Sequence, residues 1–198
     1  MTDETDLFAQ PDDATPLEAE EREGLKQTWI TTRADLNEAE QANIDIAMSW
    51  AMTRNHPTLL TEGFIFGLHK RMFGDVWTWA GDTRRTGKSI GIDANQIHLR
   101  LGGLLRDIDY WAEHATFPPD EIAMRLHHGL VFIHPFPNGN GRHARLMADL
   151  LIERLGGPPF SFGGGSLQNI GELRSAYVAA LRAADDHDFA PLLAFARS

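Results

Sequence analysis

The sequence predicts an all-α protein, and three observations predict it. Apolar residues recur at three- and four-residue intervals through most of the chain, as they do on one face of an α-helix. The alternation typical of a β-strand occurs only in the short segment 88–92. The sequence also has no internal repeat and no βαβ period of a nucleotide-binding sheet. With 198 residues, one domain with an appendage is expected, since a domain has about 150 residues.

The predicted helices are separated by glycine and proline, which end helices. The first helix is predicted to be capped by Asn37 and to run over 38–52. The others are predicted over about 61–73, 95–114, 120–133, 142–155, 170–184 and 189–196. Between the second and third helices, the segment 76–93 is rich in Gly, Thr and Trp and has no helical period. We expect it to form a small β-hairpin or an extended flap.

The net charge of −10 is concentrated at the N-terminus. Residues 1–23 contain nine acids and one base, which gives −8 and leaves −2 for the rest of the chain. Residues 1–16 have few apolar side chains, so we expect disorder or a loosely docked arm. We therefore divide the chain into an acidic N-terminal arm with its helix, 1–55, and a core, 56–198.

Composition excludes several classes of function. The sequence has no cysteine, which excludes disulfides, thiolate nucleophiles and Cys-ligated metals. No segment approaches the ~18 consecutive apolar residues of a membrane span, and the acidic N-terminus is unlike a secretory signal. The acidic balance argues against direct nucleic-acid binding. We expect a cytoplasmic protein with no membrane contact.

Residues 131–145, VFIHPFPNGNGRHAR, carry the clearest chemistry. His134 lies at a forced turn because Pro135 cannot continue a helix. Residues 138–141 tolerate positive φ just before a new helix, where successive backbone N–H groups can bind an anion. Arg142 and Arg145 lie on the first turn of that helix, and their guanidinium groups match phosphate oxygens. The segment predicts a phosphate site beside a general base; a glycine-rich helix cap with two solvated arginines is the alternative.

The run from His134 to Arg145 resembles the signature of the Fic/Doc family, H-x-F-x-(D/E/N)-G-N-G-R-x-x-R. The segment 76–86 (VWTWAGDTRRT) looks like the family's entry into its flap, and the resemblance covers about residues 56–196. TPLEAEEREGL and ITTRADLNEAEQANI also look like mobile mystery protein B, a small Fic subgroup. The resemblance implies a Fic-type helical bundle with a small β-hairpin flap. It also implies a protein adenylyltransferase, which transfers AMP from ATP to a Ser, Thr or Tyr hydroxyl of another protein.

The resemblance implies a role for several residues of the motif. His134 is implied as the general base, and imidazole suits that role because its ordinary pKa is near 6.5. Phe136 is implied as a core anchor. The residues implied to bind the nucleotide are Asn138, Gly139, Asn140, Gly141, Arg142 and Arg145. Of these, Arg142 is implied to hold the β-phosphate and Arg145 the γ-phosphate.

The flap is implied to clamp the target protein by strand-like pairing. The flap residues implied in this contact are Thr86, Gly87, Lys88, Ser89 and Ile90. Tyr177 is either part of the adenine pocket or part of an ordinary helix face.

Asn138 departs from the family pattern, which often has an acid here that ligates Mg²⁺. An amide oxygen is a weaker ligand for a hard dication. Either Asn138 ligates Mg²⁺ directly, or ATP phosphates hold the ion. A zinc site at the histidines is not expected, because no carboxylate has HExxH spacing. The histidines concerned are His127, His128, His134 and His143.

Many Fic proteins are inhibited by a glutamate in (S/T)-x-x-x-E-(G/N) that pairs with the second motif arginine. The literal match here, ending at Glu62-Gly63, lies in the first core helix and is interpreted as coincidence. Glu23, Glu38 and Glu40 are the other candidates. A further alternative is that none of these three glutamates is inhibitory. We hypothesise autoinhibition by the N-terminal region.

Three alternative functions stay open at this point. The first alternative is a Fic protein that uses another nucleotide such as UTP. The second is a phosphotransferase toxin, and the third is a catalytically quiet binding module. The intact GNGR portion favours nucleotidyl transfer over phosphoryl transfer, since the phosphorylating branch alters it. A homo-oligomer or a small antitoxin-like partner is also compatible with the sequence.

Overall fold

The computed structural model describes residues 7, 17–164 and 170–198, and these residues form helices and connecting loops. The helices are α1 (Ala19–Arg22), α2 (Arg33–Met52), α3 (Glu62–Phe73), α4 (Ile97–His114, preceded by a 3₁₀ turn, Ala94–Gln96), α5 (Pro119–Ile133), α6 (Asn140–Arg154), α7 (Ile170–Asp185) and α8 (Ala190–Ala196). Within the described residues, the β pairing consists of an isolated bridge between Leu25 and Trp77. The all-α prediction is confirmed. The expected disorder of 1–16 falls outside the described residues, apart from residue 7.

The start of α2 corrects one sequence prediction. The hydroxyl of Thr32 accepts the backbone N–H of Asp35, and the Asp35 carboxylate accepts the backbone N–H of Thr32. This reciprocal cap satisfies N–H groups that have no partner inside the helix. The helix therefore begins at Arg33, and the predicted cap at Asn37 is wrong. Thr61 caps α3, which agrees with the helix predicted over 61–73.

The core is built around α5 and α6, which pack against each other and are joined by residues 134–139. Helices α4 and α8 pack on α5, and α3 packs on both α4 and α6. Helix α2 packs on α3 and contributes Leu36, Ile44 and Ala47 to the same hydrophobic core. The division at residues 55 and 56 stays a prediction. The joint of α5 and α6, which carries the sequence motif, therefore lies at the centre of the packing.

A buried aromatic cluster packs against this joint. The His69 imidazole stacks on the Phe136 ring with 3.6 Å between centroids. Its Nδ1 accepts the Gly81 N–H at 3.0 Å, so its Nε2 donates to the Asn138 carbonyl at 3.0 Å. His143 Nε2 donates to the carbonyl of Ile65 at 3.0 Å. The accepting Nδ1 keeps the His69 imidazole neutral, and burial does the same for His143 by lowering its pKa to about 4.

The flap, residues 85–92, is an extended loop with bends and contains no strand. The predicted β-hairpin is wrong, and the alternative of an extended flap is the one observed. The side chain of Arg84 donates to the carbonyls of Thr86 and Ile92, one at each end of the flap. Backbone groups near the two ends thus bond to a side chain rather than to a facing strand.

Among the described residues, every helix falls short of the length and apolarity that a bilayer crossing demands.

We predict that the free energy of unfolding falls as the pH drops below about 6.5. Burial lowers the pKa of His127 to about 3 and that of His143 to about 4. Burial, together with His143 nearby, holds the pKa of His69 well below its usual value. Between pH 6.5 and 4 the unfolded chain therefore binds more protons than the folded chain. Each such histidine removes up to about 1.4 kcal/mol of stability per pH unit as the pH falls.

One carboxyl acts in the opposite direction. Burial raises the pKa of Asp149 to about 6, so the folded chain binds this proton first as the pH falls. Urea unfolding at several pH values between 7 and 5 measures the net effect, in which these histidines, together with His134, whose pKa burial also lowers to about 4, outweigh Asp149. His143→Gln, whose amide can still donate to Ile65, should make the pH dependence shallower. A stability that is flat over this range contradicts the prediction.

Candidate active site

The turn after α5 places His134 as the sequence predicts. His134 caps α5 in the left-handed conformation, with φ 53° and ψ 60°, and its N–H donates to the Leu130 carbonyl at 3.0 Å. Pro135 follows and prevents a further helical turn. The His134 residue is 6% exposed. The imidazole therefore lies at the end of α5, directly before the loop that leads into α6.

The loop is closed by the side chain of Asn140. Its Oδ1 accepts the backbone N–H of Phe136 at 2.9 Å, and its Nδ2 donates to the Phe136 carbonyl at 2.9 Å. The Phe136 ring is fully buried, as expected of a core anchor. Because the Asn140 side chain holds the loop, its backbone N–H is the group of this residue that is left for a phosphate.

The N-terminus of α6 offers backbone donors at a glycine-rich surface. Gly139 is the N-cap with φ 80°, and a Cβ there would collide with the Phe73 ring. The N–H groups of Asn140, Gly141 and Arg142 begin the helix, where N–H groups have no partner inside it. A Cβ added at Gly141 would meet open space. The positive end of the helix dipole thus faces a space that can take an anion.

Asn138 is held by the loop itself. Its Oδ1 accepts the Gly139 N–H at 2.6 Å and an Arg142 N–H at 3.4 Å, and its backbone carbonyl accepts from His69. A cation that close opposes a second cation at the same oxygen. Within the part of the chain that the structure describes, no three His, Asp or Glu side chains come close enough to hold a metal. The arrangement does not fit direct ligation of Mg²⁺ by Asn138.

Arg142 forms an ion pair with a buried glutamate of α2. Its Nη1 lies 2.7 Å from Oε2 of Glu40, which is 5% exposed, and the other Glu40 oxygen accepts the Trp77 indole N–H at 2.7 Å. The other two candidates, Glu23 and Glu38, are exposed. Of the three glutamates, Glu40 is thus the one that meets a motif arginine. It meets the first motif arginine, whereas the resemblance implied the second.

Arg145, the second motif arginine, packs between aromatic rings. Its guanidinium lies 5.0 Å from the centroid of Tyr177 and 5.7 Å from that of Phe162. The Tyr177 hydroxyl is hydrogen-bonded to Nε2 of His127 at 2.9 Å. Among the described residues, no carboxylate lies within ion-pair distance of Arg145. Tyr177 therefore contacts the Arg145 guanidinium, and its place in an adenine pocket stays a prediction.

The electrostatic surroundings keep His134 neutral. Burial lowers the pKa of its imidazole to about 4, and the cations of Arg84 and Lys88 contribute in the same direction. A hydrogen bond to the backbone of Val131 opposes this shift. At pH 7 the ring is therefore uncharged and has the lone pair that a general base needs.

The flap is partly covered by the N-terminal arm. Its residues Thr86, Gly87, Ser89 and Ile90 are exposed. The Lys88 side chain is 1% exposed, because its ammonium lies 2.5 Å from a carboxylate oxygen of Glu21 and 3.8 Å from one of Glu18.

The remaining histidines of the motif region have separate partners. His128 donates to the Asp185 carboxylate at 2.8 Å, while His143 and His127 bond to Ile65 and Tyr177 as described above. Glu62 pairs with His98 at 3.0 Å rather than with a motif arginine.

Sequence reasoning missed Arg84, His69, Glu21 and the role of Trp77. Each acts through a contact with a distant segment, and none has a periodic or spacing signal of its own. The indole N–H of Trp77 donates to Glu40. The indole N–H of Trp79 donates to the Glu21 carbonyl of the arm. The one available signal was opposite charge, between the acids of the arm and Lys88.

We predict that Asn140→Ala lowers the free energy of unfolding by about 2–4 kcal/mol, because it leaves the buried N–H and C=O groups of Phe136 without partners. Denaturant unfolding at pH 7 measures this loss. Asn55→Ala, at an exposed asparagine, is the matched control and should change stability by less than about 0.5 kcal/mol. Equal losses in the two variants count against a structural role of the Asn140 side chain.

Comparison with known proteins agrees with this geometry. Residues 59–152 match the Fic/DOC family. Protein adenylyltransferase Fic of Drosophila melanogaster is 33% identical over 190 residues, which cover 87% of this chain and 37% of that protein. The chain thus spans about a third of the length of the curated relatives that it matches.

Solved structures show the same fold. Fic-1 (residues 134–508) from C. elegans is 28% identical with a TM-score of 0.61, and the match covers 88% of this chain and 56% of that chain. BepC of Bartonella tribocorum, solved with bound AMPPNP, is 17% identical with a TM-score of 0.69 and covers 91% and 97%. The comparisons do not test the resemblance of the N-terminal part to mobile mystery protein B, which stays a prediction. Residues 59–152 of this chain thus form a domain of the Fic/DOC family.

Proposed function

We propose that this protein transfers AMP from ATP to a Ser, Thr or Tyr hydroxyl of a target protein. One observation carries the proposal: a buried, neutral His134 and the N-terminus of α6, whose backbone N–H groups can bind an anion, lie at the two ends of one short loop. The adenylyltransferase relatives and a Fic structure with a bound ATP analogue support ATP as the donor.

In the proposed reaction His134 accepts the proton of the target hydroxyl. The hydroxyl oxygen forms a bond to the α-phosphorus, and the bond from that phosphorus to the bridging oxygen breaks, so that pyrophosphate leaves. The N–H groups at the start of α6, from Asn140 and Gly141, stabilise the negative charge that grows on the phosphate oxygens. Arg142 is assigned to the β-phosphate and Arg145 to the γ-phosphate. Any Mg²⁺ is assigned to the nucleotide phosphates, since Asn138 is occupied.

The target protein is proposed to bind along the flap. Thr86, Gly87, Ser89 and Ile90 are exposed there, and extended backbone can pair with an added peptide strand. In this arrangement Lys88 contributes to target binding only after the arm has left it. A homo-oligomer and a small antitoxin-like partner stay predictions.

Transfer of label from ATP tests the proposed reaction. With α-labelled ATP we expect self-labelling of the protein, and with γ-labelled ATP we expect no label on it. His134→Ala should lower transfer at least 100-fold, because a positioned general base contributes about 10²–10⁴-fold. His128→Gln, a substitution elsewhere on α5, is the control and should retain activity.

The other outcomes identify the alternative functions. Label from the γ position alone indicates a phosphotransferase. Transfer from α-labelled UTP in preference to ATP indicates a different nucleotide. Absence of transfer from all donors, in a protein that still binds nucleotide, indicates a binding module and contradicts the proposal.

We further propose that Glu40 restrains the site. Glu40 is buried, is fixed by the Trp77 indole, and occupies the guanidinium that the β-phosphate needs. The α6 side of the site therefore has to exchange one anion for another when a triphosphate binds. The contact of Glu21 with Lys88 is a second restraint, on the flap side.

Glu40→Gln tests the restraint without removing the hydrogen bond to Trp77, since the amide oxygen can still accept it. We predict that Kd for a non-hydrolysable ATP analogue falls about tenfold, or about 1.4 kcal/mol, and that transfer rises. Calorimetric titration measures the Kd. Glu38→Gln, at an exposed glutamate of the same helix, is the matched control.

An unchanged Kd in Glu40→Gln rejects the restraint. Point variants are preferable to deletion of residues 1–45, because Leu36 and Ile44 belong to the hydrophobic core.

A further inference from the structure

Arg84 is a buried arginine that bonds to two separate segments through backbone carbonyls. It is 2% exposed. Its Nε donates to the carbonyl of His134 at 2.6 Å, and its Nη2 lies 3.4 Å from the carbonyl of Ile133 at the end of α5. On the flap, Nη1 donates to the Thr86 carbonyl at 2.8 Å and Nη2 to the Ile92 carbonyl. One guanidinium thus joins both ends of the flap to the turn that carries the base.

Two backbone features bring the same segments together. The N–H of Arg84 donates to the Pro135 carbonyl at 2.9 Å. Gly91, near the far end of the flap, has φ 98°, and a Cβ there would lie 2.6 Å from the Cβ of His134. The flap backbone therefore packs directly on the His134 side chain.

The physical reason for this arrangement lies at the C-terminus of α5. The last carbonyls of a helix have no partners inside it and form the negative end of the helix dipole. A buried cation, in turn, needs compensation for its lost hydration. Only arginine offers five donors in a fixed fork, which can satisfy carbonyls of the helix end and of the flap together.

We propose that Arg84 is a positioning residue, which fixes the His134 imidazole relative to the flap so that a hydroxyl delivered along the flap meets the base. This inference rests on the proposed transfer reaction. The phosphate site at α6 is held by other contacts, those of Asn140 and Phe136. Loss of Arg84 therefore lowers the rate of transfer at saturating ATP and leaves nucleotide affinity intact.

The charge of Arg84 provides a readout that is independent of activity. Burial is the main cause of the low pKa of the His134 imidazole, and the guanidinium of Arg84, like the Lys88 ammonium, lowers it further because each cation favours the neutral ring. Removal of the cation shifts the pKa upward. Histidine Cε1 resonances, followed by NMR in the full chain from pH 8 down to the acid limit of folding, report this shift, because the wild-type imidazole has a pKa of about 4.

Arg84→Met and Arg84→Lys separate the geometry from the charge. For Arg84→Met we expect self-labelling with α-labelled ATP to fall about 100-fold at saturating ATP, as a misplacement of about 1 Å can cause. We expect Kd for a non-hydrolysable ATP analogue to stay within about twofold, and the His134 resonance to titrate at higher pH. Arg84→Lys keeps the charge but lacks the fork, so it should restore the titration without restoring the rate.

Gly91→Ala provides a second test that keeps Arg84. The added methyl group pushes the flap from His134, and we expect the same loss of rate at unchanged nucleotide affinity. Gly103→Ala in α4, where a Cβ meets open space, and Arg125→Met, at the ion pair with Glu121, are the controls and should retain the rate.

The proposal is overturned if Arg84→Met and Gly91→Ala, both folded by circular dichroism, transfer label at the wild-type rate. It is also overturned if rate and nucleotide affinity are lost together, because the effect is then general. Should the wild type transfer no label, the proposed function fails. An unchanged His134 titration in Arg84→Met then rejects the positioning role as well, whereas a shifted titration supports it.

Discussion

The structure depends on one constraint, which is that the polar backbone of a buried loop between α5 and α6 must be satisfied. The loop starts at His134 and ends at Gly139, both in the left-handed conformation. Asn140 bonds both backbone groups of Phe136, and His69 bonds the Asn138 carbonyl. These contacts fix the distance between the base and the helix N-terminus, and the proposed chemistry needs that distance to be constant.

The cations of the site are compensated by nearby carboxylates or aromatic rings. The proposed triphosphate site contains several cations, and in the absence of a ligand each of them contacts another group of the protein. Arg142 pairs with Glu40, Lys88 pairs with Glu21, and Arg145 packs against an aromatic ring. The acidic arm therefore supplies a carboxylate to the flap, so part of the net charge of −10 has a structural partner in the core.

Structural features that depend on neighbouring residues could be predicted from the sequence. Features that depend on tertiary contacts could not. Helix periods and the turn at His134 follow from neighbouring residues, and both agree with the structure. The hairpin was wrong because Arg84 takes carbonyls at both ends of the flap, and the Asn37 cap was wrong because Thr32 forms a reciprocal cap. The partner of Glu40 lies 102 residues away on another helix, and no spacing rule connects the two.

The loop and the N-terminus of α6 are proposed to form a phosphate site that Glu40 restrains. A crystal structure of the full chain with a non-hydrolysable ATP analogue tests this proposal most directly. We expect phosphate oxygens on the N–H groups of Asn140 and Gly141, with the Glu40 carboxylate displaced from Arg142. A triphosphate bound elsewhere, or one bound at α6 beside an intact Glu40–Arg142 ion pair, contradicts it.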